Sequence, residues 1–396
     1  MSRVAVVGSG VAGLTAAYVI SRSATVTLFE ADDRLGGHAD THQVDGMAID
    51  TGFIVHNRKT YPTLLRLFDE LGVTTQESDM SLSVRSDAAH GGRGLEWAGA
   101  MGPGGLFPRG SNLARPRFWR MLTEIPRFHR RARRLLDGPD DDRTLGQFLD
   151  EGAFSTYFRR HFMAPLVAAV WSCDPAIAMD YPARYLFTFL AHHGMLQVFG
   201  SPRWRTVTGG SHVYVDRVAA ALREHGGRVL VDAKVTSVVE TAAGVSVTDG
   251  NGVVRDFDQV VIATHPGQAL SLLGEPTPLQ SELLSAMPYS ANLAQLHTDT
   301  SLLPRRRAAW ASWNHLERPD SDGVTVTYDL TRLMRLPTRT HYLVTLGAPD
   351  LVDPDTVIAT RAYEHPIYTP DSLAAQRRLH EIDSDRLAFA GAWHGS

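Results

Sequence analysis

The sequence predicts an α/β protein built around a parallel, nucleotide-binding sheet, and three observations carry that prediction. VAVVGSGVAGLTAAYVI, residues 4–20, reads as a buried strand, a glycine turn and a helix. A second apolar run, Thr25 to Phe29, closes on an acidic residue, Glu30. Much later, RVLVDAKVTSVVET, GVSVTDGNGVVRDFDQVVIAT and LAFAGAW return as further strands, the first two grouped around the turn Gly250-Asn251-Gly252.

Each element has a physical reason. Val4 to Val7 is a short continuous apolar run, the pattern of a central parallel strand covered on both faces. Gly8, Gly10 and Gly13 then complete a GxGxxG turn, with Ala12 inside it, and Leu14 to Ile20 continues as helix. Gly8 permits the tight turn, Gly10 leaves room for a pyrophosphate against the backbone, and Gly13 lets helix and strand pack closely. The helix N-terminus offers unpaired N–H groups to phosphate. Glu30 comes after the second strand, about 20 residues past the central glycine, where an acid binds ribose hydroxyls.

Composition sets the outer bounds. At 396 residues and 43% hydrophobic, the chain can bury more than one domain's core. A net charge of −4 exerts no global pull toward nucleic acid, and no nucleic-acid-binding motif appears. One cysteine, Cys173, excludes an internal disulfide and any CxxC redox pair. The first strand begins at once, and the longest apolar run, MAPLVAAVW, is far short of a bilayer span. The expectation is a cytoplasmic protein. Basic residues are almost all arginine, with Lys59 and Lys234 the only lysines.

The segment after Glu30 separates two classes of dinucleotide site. Arg34-Leu35-Gly36-Gly37-His38 stands where a nicotinamide-binding domain would simply begin its next helix. Paired glycines let the chain pass close to something bulky, and the arginine can reach phosphate or ribose oxygens. Asp50-Thr51-Gly52-Phe53 offers another place of close approach. These segments resemble the FAD-dependent amine-oxidase superfamily, whose second glycine motif is R-x-G-G-R. The resemblance implies a Rossmann-like, GR2-type FAD-binding domain with an inserted α+β substrate domain. It implies FAD with its pyrophosphate at the first turn, its ribose on Glu30, and the Gly36-Gly37 loop beside pyrophosphate and flavin. It also implies that the backbone at Val235 meets the adenine. His38 departs from the pattern, since most members carry a second arginine there.

Within the superfamily, GGH with DTGFIVHNRKTYPTLLRLFDELGV is similar to one branch, as are WRTVTGGSHVYV, TRAYEHPIYTPDSLAAQ and LAFAGAW. That branch holds oxidoreductases accompanying cyclopropane-fatty-acid-synthase-like methyltransferases, and the flavin-binding half of plant cyclopropane fatty acid synthases. The expected organisation is an FAD domain from residues 1–85, 204–274 and 376–396. A substrate part comes from 86–203, mainly helical, and 275–375, rich in strands. The superfamily continues beyond GAWHGS with a glycine turn and a helix. Gly391 is present, so the expectation is a chain cut inside its third cofactor motif.

RPRFWRMLTEIPRFHRRARRLL, residues 115–136, is the most distinctive segment outside the cofactor motifs. Phe118, Leu122, Ile125, Phe128 or His129, Ala132 and Leu136 form one helical apolar stripe ringed by eight arginines. Such a helix fits an anionic membrane surface and a doorway for lipid; a helix packed on the core with solvated arginines shows the same stripe.

The resemblance implies hydride transfer between a hydrophobic substrate and the flavin N5, the substrate being a modified fatty acyl chain of a lipid and a methyltransferase a partner. Proton handling falls to His56, Lys59 or His193, each also readable as a structural or surface residue. No metal site is expected, because the His38/His42 pair sits between a diglycine loop and a strand. An amine oxidase or carotenoid-type desaturase is the competing enzyme reading. A flavin-free binding protein similar to Rab GDP-dissociation inhibitors is the non-enzymatic one.

Overall fold

The structure, a computed structural model, describes residues 1–99, 101–139, 142–171, 179–196, 202–319 and 325–395; Cys173 lies outside them. The architecture is mixed α/β. β1 (Arg3–Val7) is the middle strand of a five-stranded parallel sheet, and α1 (Val11–Ile20) crosses from it to β2 (Thr25–Phe29). The strand order is Arg228–Leu230, β2, β1, Gln259–Ile262, Leu387–Phe389. The order therefore reverses direction at β1, which makes a crevice at the carboxyl ends of the strands.

The continuous apolar run of β1 is explained by burial on both faces. Val6, with Val26 and Leu28 of β2, packs on Leu14 and Ala17 of α1 and on Tyr214 and Val218 of the helix His212–Glu224. Ala5, Val7 and Phe29 pack instead on Val235, Val247 and Phe257. Those last residues belong to a three-stranded antiparallel sheet, Val235–Glu240, Val245–Asp249 and Val254–Phe257.

A second body of structure is a seven-stranded sheet that takes in most strands after residue 288 together with Leu82–Ser86 and Leu95–Gly99. Its pairings are antiparallel except where Trp313–Glu317 meets Leu82–Ser86. Leu82–Ser86 thus straddles position 85 and pairs away from the parallel sheet. A helical layer lies against this sheet, formed by Pro116–Leu136, Ala164–Trp171 and Ala183–His192 around an aromatic core centred on Phe128.

The helix Pro116–Leu136 packs inward. Phe118, Phe128, His129 and Ala132 of the expected stripe are buried, whereas Leu122, Ile125 and Leu136 are only half-buried. Met121 and Glu124 are buried in their place. Glu124 tolerates burial because its carboxylate accepts bonds from Ser155 N at 3.0 Å and Ser155 Oγ at 2.6 Å. Several arginines are engaged by their own chain: Arg115 bonds Gly94 O, Arg127 bonds Gly152 O and covers Phe154, and Arg133 bonds Leu196 O. Among the described residues, no helix is long and apolar enough to cross a membrane.

Buried histidines give the fold a pH limit. Burial pulls His56, His297 and His315 from the ordinary 6.5 down to about 4, and His161 down to about 3. Because these groups are harder to protonate when folded, their contribution is complete above pH 6.5 and is lost as pH falls towards 4. Thermal unfolding followed from pH 7 to 4 is expected to show the midpoint falling across that window, at ~1 kcal/mol per pH unit for each such histidine. A midpoint that stays level down to pH 4.5 would contradict this.

Candidate functional site

The crevice at the ends of β1 and β2 is lined by two glycine loops in direct contact. Gly8 has φ +99°, and a Cβ there would lie 2.9 Å from Ala263 O. A Cβ on Gly13 would lie 1.9 Å from Gly8 O, so helix and turn pack with no side chain between them. Gly36 and Gly37 both take positive φ, and Gly36 forms a bridge with Gly10. A Cβ on Gly37 would lie 3.1 Å from Gly10 Cα. Gly10 itself is different, since a Cβ added there meets no atom within 4 Å. The N-terminus of α1, including Ala12, has no side-chain cap at Gly10. Open space beside uncapped N–H groups suits a phosphate.

Ser9, fully buried, ties these parts together. Its N–H donates to Glu30 Oε2 at 2.9 Å and its hydroxyl bonds the same oxygen. Gly36 N–H in turn donates to Ser9 O at 3.0 Å and reaches Ser9 Oγ at 3.2 Å. Glu30 also accepts from Asp32 N at 3.0 Å through its other oxygen. Each carboxylate oxygen can accept more than one bond, so Glu30 keeps acceptor capacity for ribose hydroxyls. Sequence reasoning missed Ser9; its small hydroxyl between two glycines was the available signal.

Arg34 Nη2 donates to Gly37 O at 2.9 Å, while its Nη1 is buried 3.5 Å from Asp40 without a hydrogen-bond partner. Asp40 was also missed. Burial alone would raise its carboxyl, but bonds from His42 and Arg361 and the charge of Arg34 outweigh it and hold it below the usual range. His38 lies edge-on to Tyr363 at 4.7 Å, with His265 and His365 about as near as each other at 5.8 and 6.0 Å. Burial, then His365, His265 and Arg34, pull His38 to about 4. A neutral imidazole therefore stands where the R-x-G-G-R pattern has a fixed positive charge.

Gly52 and Phe53 close the next loop on the His38 carbonyl. A Cβ on Gly52 would lie 2.1 Å from that oxygen, and Phe53 N–H donates to it at 2.7 Å. Val235 is buried just after Ala233, whose N–H donates to Glu30 O at 2.8 Å. Gly391 comes after the outermost parallel strand, and a Cβ there would lie 2.1 Å from the Trp393 indole nitrogen. The predicted residues from Gly8 to Phe53 are thus linked by direct contacts between their loops, while Val235 begins a strand of the antiparallel sheet and Gly391 follows the outermost parallel strand. The open space at Gly10 and the remaining acceptors of Glu30 fit a dinucleotide such as FAD.

The three proton-handling candidates are not brought together. His56 is buried edge-on to Phe68 at 5.3 Å and has no partner for Nε2. Lys59 is exposed in a turn closed by Asn57 Oδ1, ahead of a helix that starts only at Pro62, so it does not sit in that helix's first turn. His193 differs. It lines a cavity of about 560 Å³ together with Met80, Leu82, Trp97, Phe162 and Trp313. Its Nδ1 donates to Phe189 O at 2.8 Å, which fixes the tautomer and leaves Nε2 to accept from Tyr61 Oη at 3.3 Å. Burial lowers the His193 pKa and pushes Tyr61 up to about 12, so both are neutral at pH 7. Tyr61 also contacts Phe53 at 6.1 Å between ring centres, which joins the cavity wall to the Gly52 loop.

Comparison with known proteins gives the same picture. Residues 11–356 match the model of the flavin containing amine oxidoreductases. A Mycobacterium tuberculosis protein provisionally named flavin-containing monoamine oxidase AofH is 31% identical over 345 residues, 83% of this chain and 70% of its own. Among solved structures, cyclohexylamine oxidase from Brevibacterium oxydans has a TM-score of 0.70 at 18% identity, covering all of this chain and 94% of that one. A CLA-producing fatty acid isomerase from P. acnes also has a TM-score of 0.70, at 15% identity and 98% and 93% coverage.

The open space at Gly10 makes a clean experiment. Gly10→Ala is expected to leave the thermal midpoint of the flavin-free protein unchanged while cutting FAD retention at least ~10-fold, read as absorbance at about 450 nm after gel filtration. Gly13→Ala, which forces overlap with Gly8 O, is expected to lower the stability itself by ~1–3 kcal/mol. Equal flavin content in Gly10→Ala and wild type would remove the phosphate cradle from that position.

Proposed function

The chain belongs to the flavin-containing amine oxidoreductases and is an FAD-dependent oxidoreductase; from that premise we propose that its substrate is hydrophobic, an acyl chain of a lipid. FAD, when bound, supplies a hydride acceptor or donor. The chain's own residues hold it at the glycine loops, Glu30 and Arg34, and present the substrate from the adjoining cavity.

The observation that carries the substrate choice is the cavity wall. It is made largely of Met, Leu, Trp and Phe side chains, and Glu77 is its one carboxylate among the described residues. Glu77 is already paired with Arg203 at 3.4 Å and Arg335 at 3.5 Å. An ammonium group entering this space would lose its water and gain no free anion. An alkyl chain would lose nothing. His193 of the wall and Tyr61 behind it, both neutral, form a hydrogen-bonded pair that reaches Phe53 through the Tyr61 ring and adds no charge to the wall. The shared fold of a fatty acid isomerase is compatible with this reading.

An amine substrate is the second reading, favoured by the 31% identity to AofH. The two separate in one experiment, anaerobic reduction of bound flavin by a panel of alkylamines and acyl lipids. Acyl lipids are expected to bleach the flavin, or to be reduced by the chemically reduced protein, and Leu82→Trp is expected to slow this ~10-fold by filling the cavity while flavin absorbance is kept. Bleaching by amines alone, unaffected by Leu82→Trp, would overturn the lipid assignment.

Lipid delivery is the further part of the proposal. With other arginines of Pro116–Leu136 engaged internally, Arg117, Arg130 and Arg134 remain as exposed cations that can meet an anionic membrane surface. A methyltransferase acting on the same acyl chains is the partner that the sequence resemblance brings to this proposal. Replacing Arg117, Arg130 and Arg134 by serine is expected to weaken sedimentation with phosphatidylglycerol vesicles, each arginine contributing about 1 kcal/mol. Unchanged sedimentation would dismiss the contact.

A further inference from the structure

His38 stands where two loops close on the glycine turn. It follows Gly37, where a Cβ would lie 3.1 Å from Gly10 Cα, and its ring is 5.8 Å from that of His265. His265 comes two residues after Ala263, whose carbonyl closes on Gly8. His365, in the strand Val357–Pro366, is 6.0 Å from His38 and comes from a third segment. The three imidazoles differ in what they have free. His265 Nδ1 is bonded to Glu364 at 2.6 Å, and His365 Nδ1 is enclosed without a partner. Neither ring nitrogen of His38 is enclosed or bonded among the described residues, so both reach open space. The guanidinium groups nearby are committed, since Arg34 and Arg361 converge on Asp40 at 3.5 and 2.7 Å.

A dinucleotide brings two negatively charged phosphates to this crevice, and the uncapped N-terminus of α1 offers only about half a positive charge. Imidazole is the side chain that can add a positive charge near neutral pH. We propose that His38 takes up a proton when FAD binds and becomes a charged contact for its phosphates, so that the chain holds its cofactor more tightly in acid. In the free protein burial, and then His365, His265 and Arg34, hold His38 at about 4. A phosphate beside the ring acts in the opposite sense. The bound value is then the higher one, so affinity rises as pH falls through it and levels off below the free value. Around the ring, Tyr363 keeps its phenol proton because burial raises it, burial and then His265 hold His365 at about 4, and His265 is tied to Glu364. A return of His38 to the ordinary value of about 6.5 makes FAD binding ~10-fold tighter at pH 5.5 than at pH 8.

The test dilutes the flavin-loaded protein to equilibrium at several pH values from 8 to 5.5 and reads released FAD by its fluorescence. The slope of log Kd against pH counts the protons taken up on binding. Wild type is expected to show the ~10-fold tightening, with a slope that approaches about one proton at the acid end. His38→Gln is expected to keep the wild-type affinity of pH 8 throughout, with no slope. His38→Arg, which supplies a fixed charge, is expected to bind at every pH at least as tightly as wild type does at pH 5.5. A wild-type Kd that stays level from pH 8 to 5.5 overturns the proposal, and so does a slope that survives in His38→Gln. Should His38→Gln not fold, a slope that persists in His38→Arg overturns it equally. Wild-type protein that holds no FAD at any pH overturns the cofactor site at the glycine loops, and the role of His38 with it.

Discussion

Two glycine loops from different parts of the N-terminal region meet backbone to backbone, and the rest of the cofactor edge depends on that contact. Gly36 N–H reaches the carbonyl and hydroxyl of Ser9, and Ser9 in turn holds Glu30. The ends of β1 and β2 and the Gly36 loop are thereby locked by one buried serine. The geometry works only where no Cβ intervenes: Gly13 against Gly8 O, Gly37 against Gly10 Cα, Gly52 against His38 O. Flexibility is not the purpose of these glycines. They permit a backbone approach closer than side chains allow, and that approach leaves the space at Gly10 as the one open position in a tightly closed turn.

The cofactor edge and the seven-stranded sheet are joined by polar contacts. Asp40 accepts from Arg361, and the hydroxyl of Tyr363, also in the strand Val357–Pro366, bonds Thr51 at 2.8 Å. Asp50, fully buried, accepts from Ser211 N and Oγ and from Thr41 Oγ1, which anchors the start of the helix His212–Glu224. Burial raises the Asp50 pKa against the lowering effect of those bonds. Directional contacts of this kind set the angle between two bodies of structure, which a purely apolar interface leaves less defined.

Most of the parallel sheet was legible because its signals are local. The apolar run of β1, the glycine spacing and the acidic end of β2 lie within about 30 residues and each has one dominant physical cause. The seven-stranded sheet was less legible, since Leu82–Ser86 finds its parallel partner in Trp313–Glu317, far along the chain, and no local pattern encodes that pairing. The helix Pro116–Leu136 is where its periodicity puts it, but its buried stripe is wider than the apolar residues alone suggest. Glu124 reads as a solvent residue until Ser155 is seen to satisfy it. Ser9, Asp40 and Tyr61 were missed because their roles come from partners distant in sequence. His193 stood out only as one histidine of a pair; the structure separates buried His193 from exposed His192.

Neutrality is common to the buried rings around the cofactor loops and the cavity. His38 and His129 are held uncharged by burial, and Tyr61 and Tyr363 have their phenol protons retained by the same cause. The charges that do enter this region are cancelled within it, Asp40 by Arg34 and Arg361, Glu77 by Arg203 and Arg335. The cavity wall therefore carries no unpaired carboxylate among the described residues. Hydride transfer needs both reacting centres dry and closely held, and it needs no fixed charge along an apolar substrate's path. The arginines that give the helix Pro116–Leu136 its basic character stay on the outer surface or close bonds within the chain, so they add no charge to this interior.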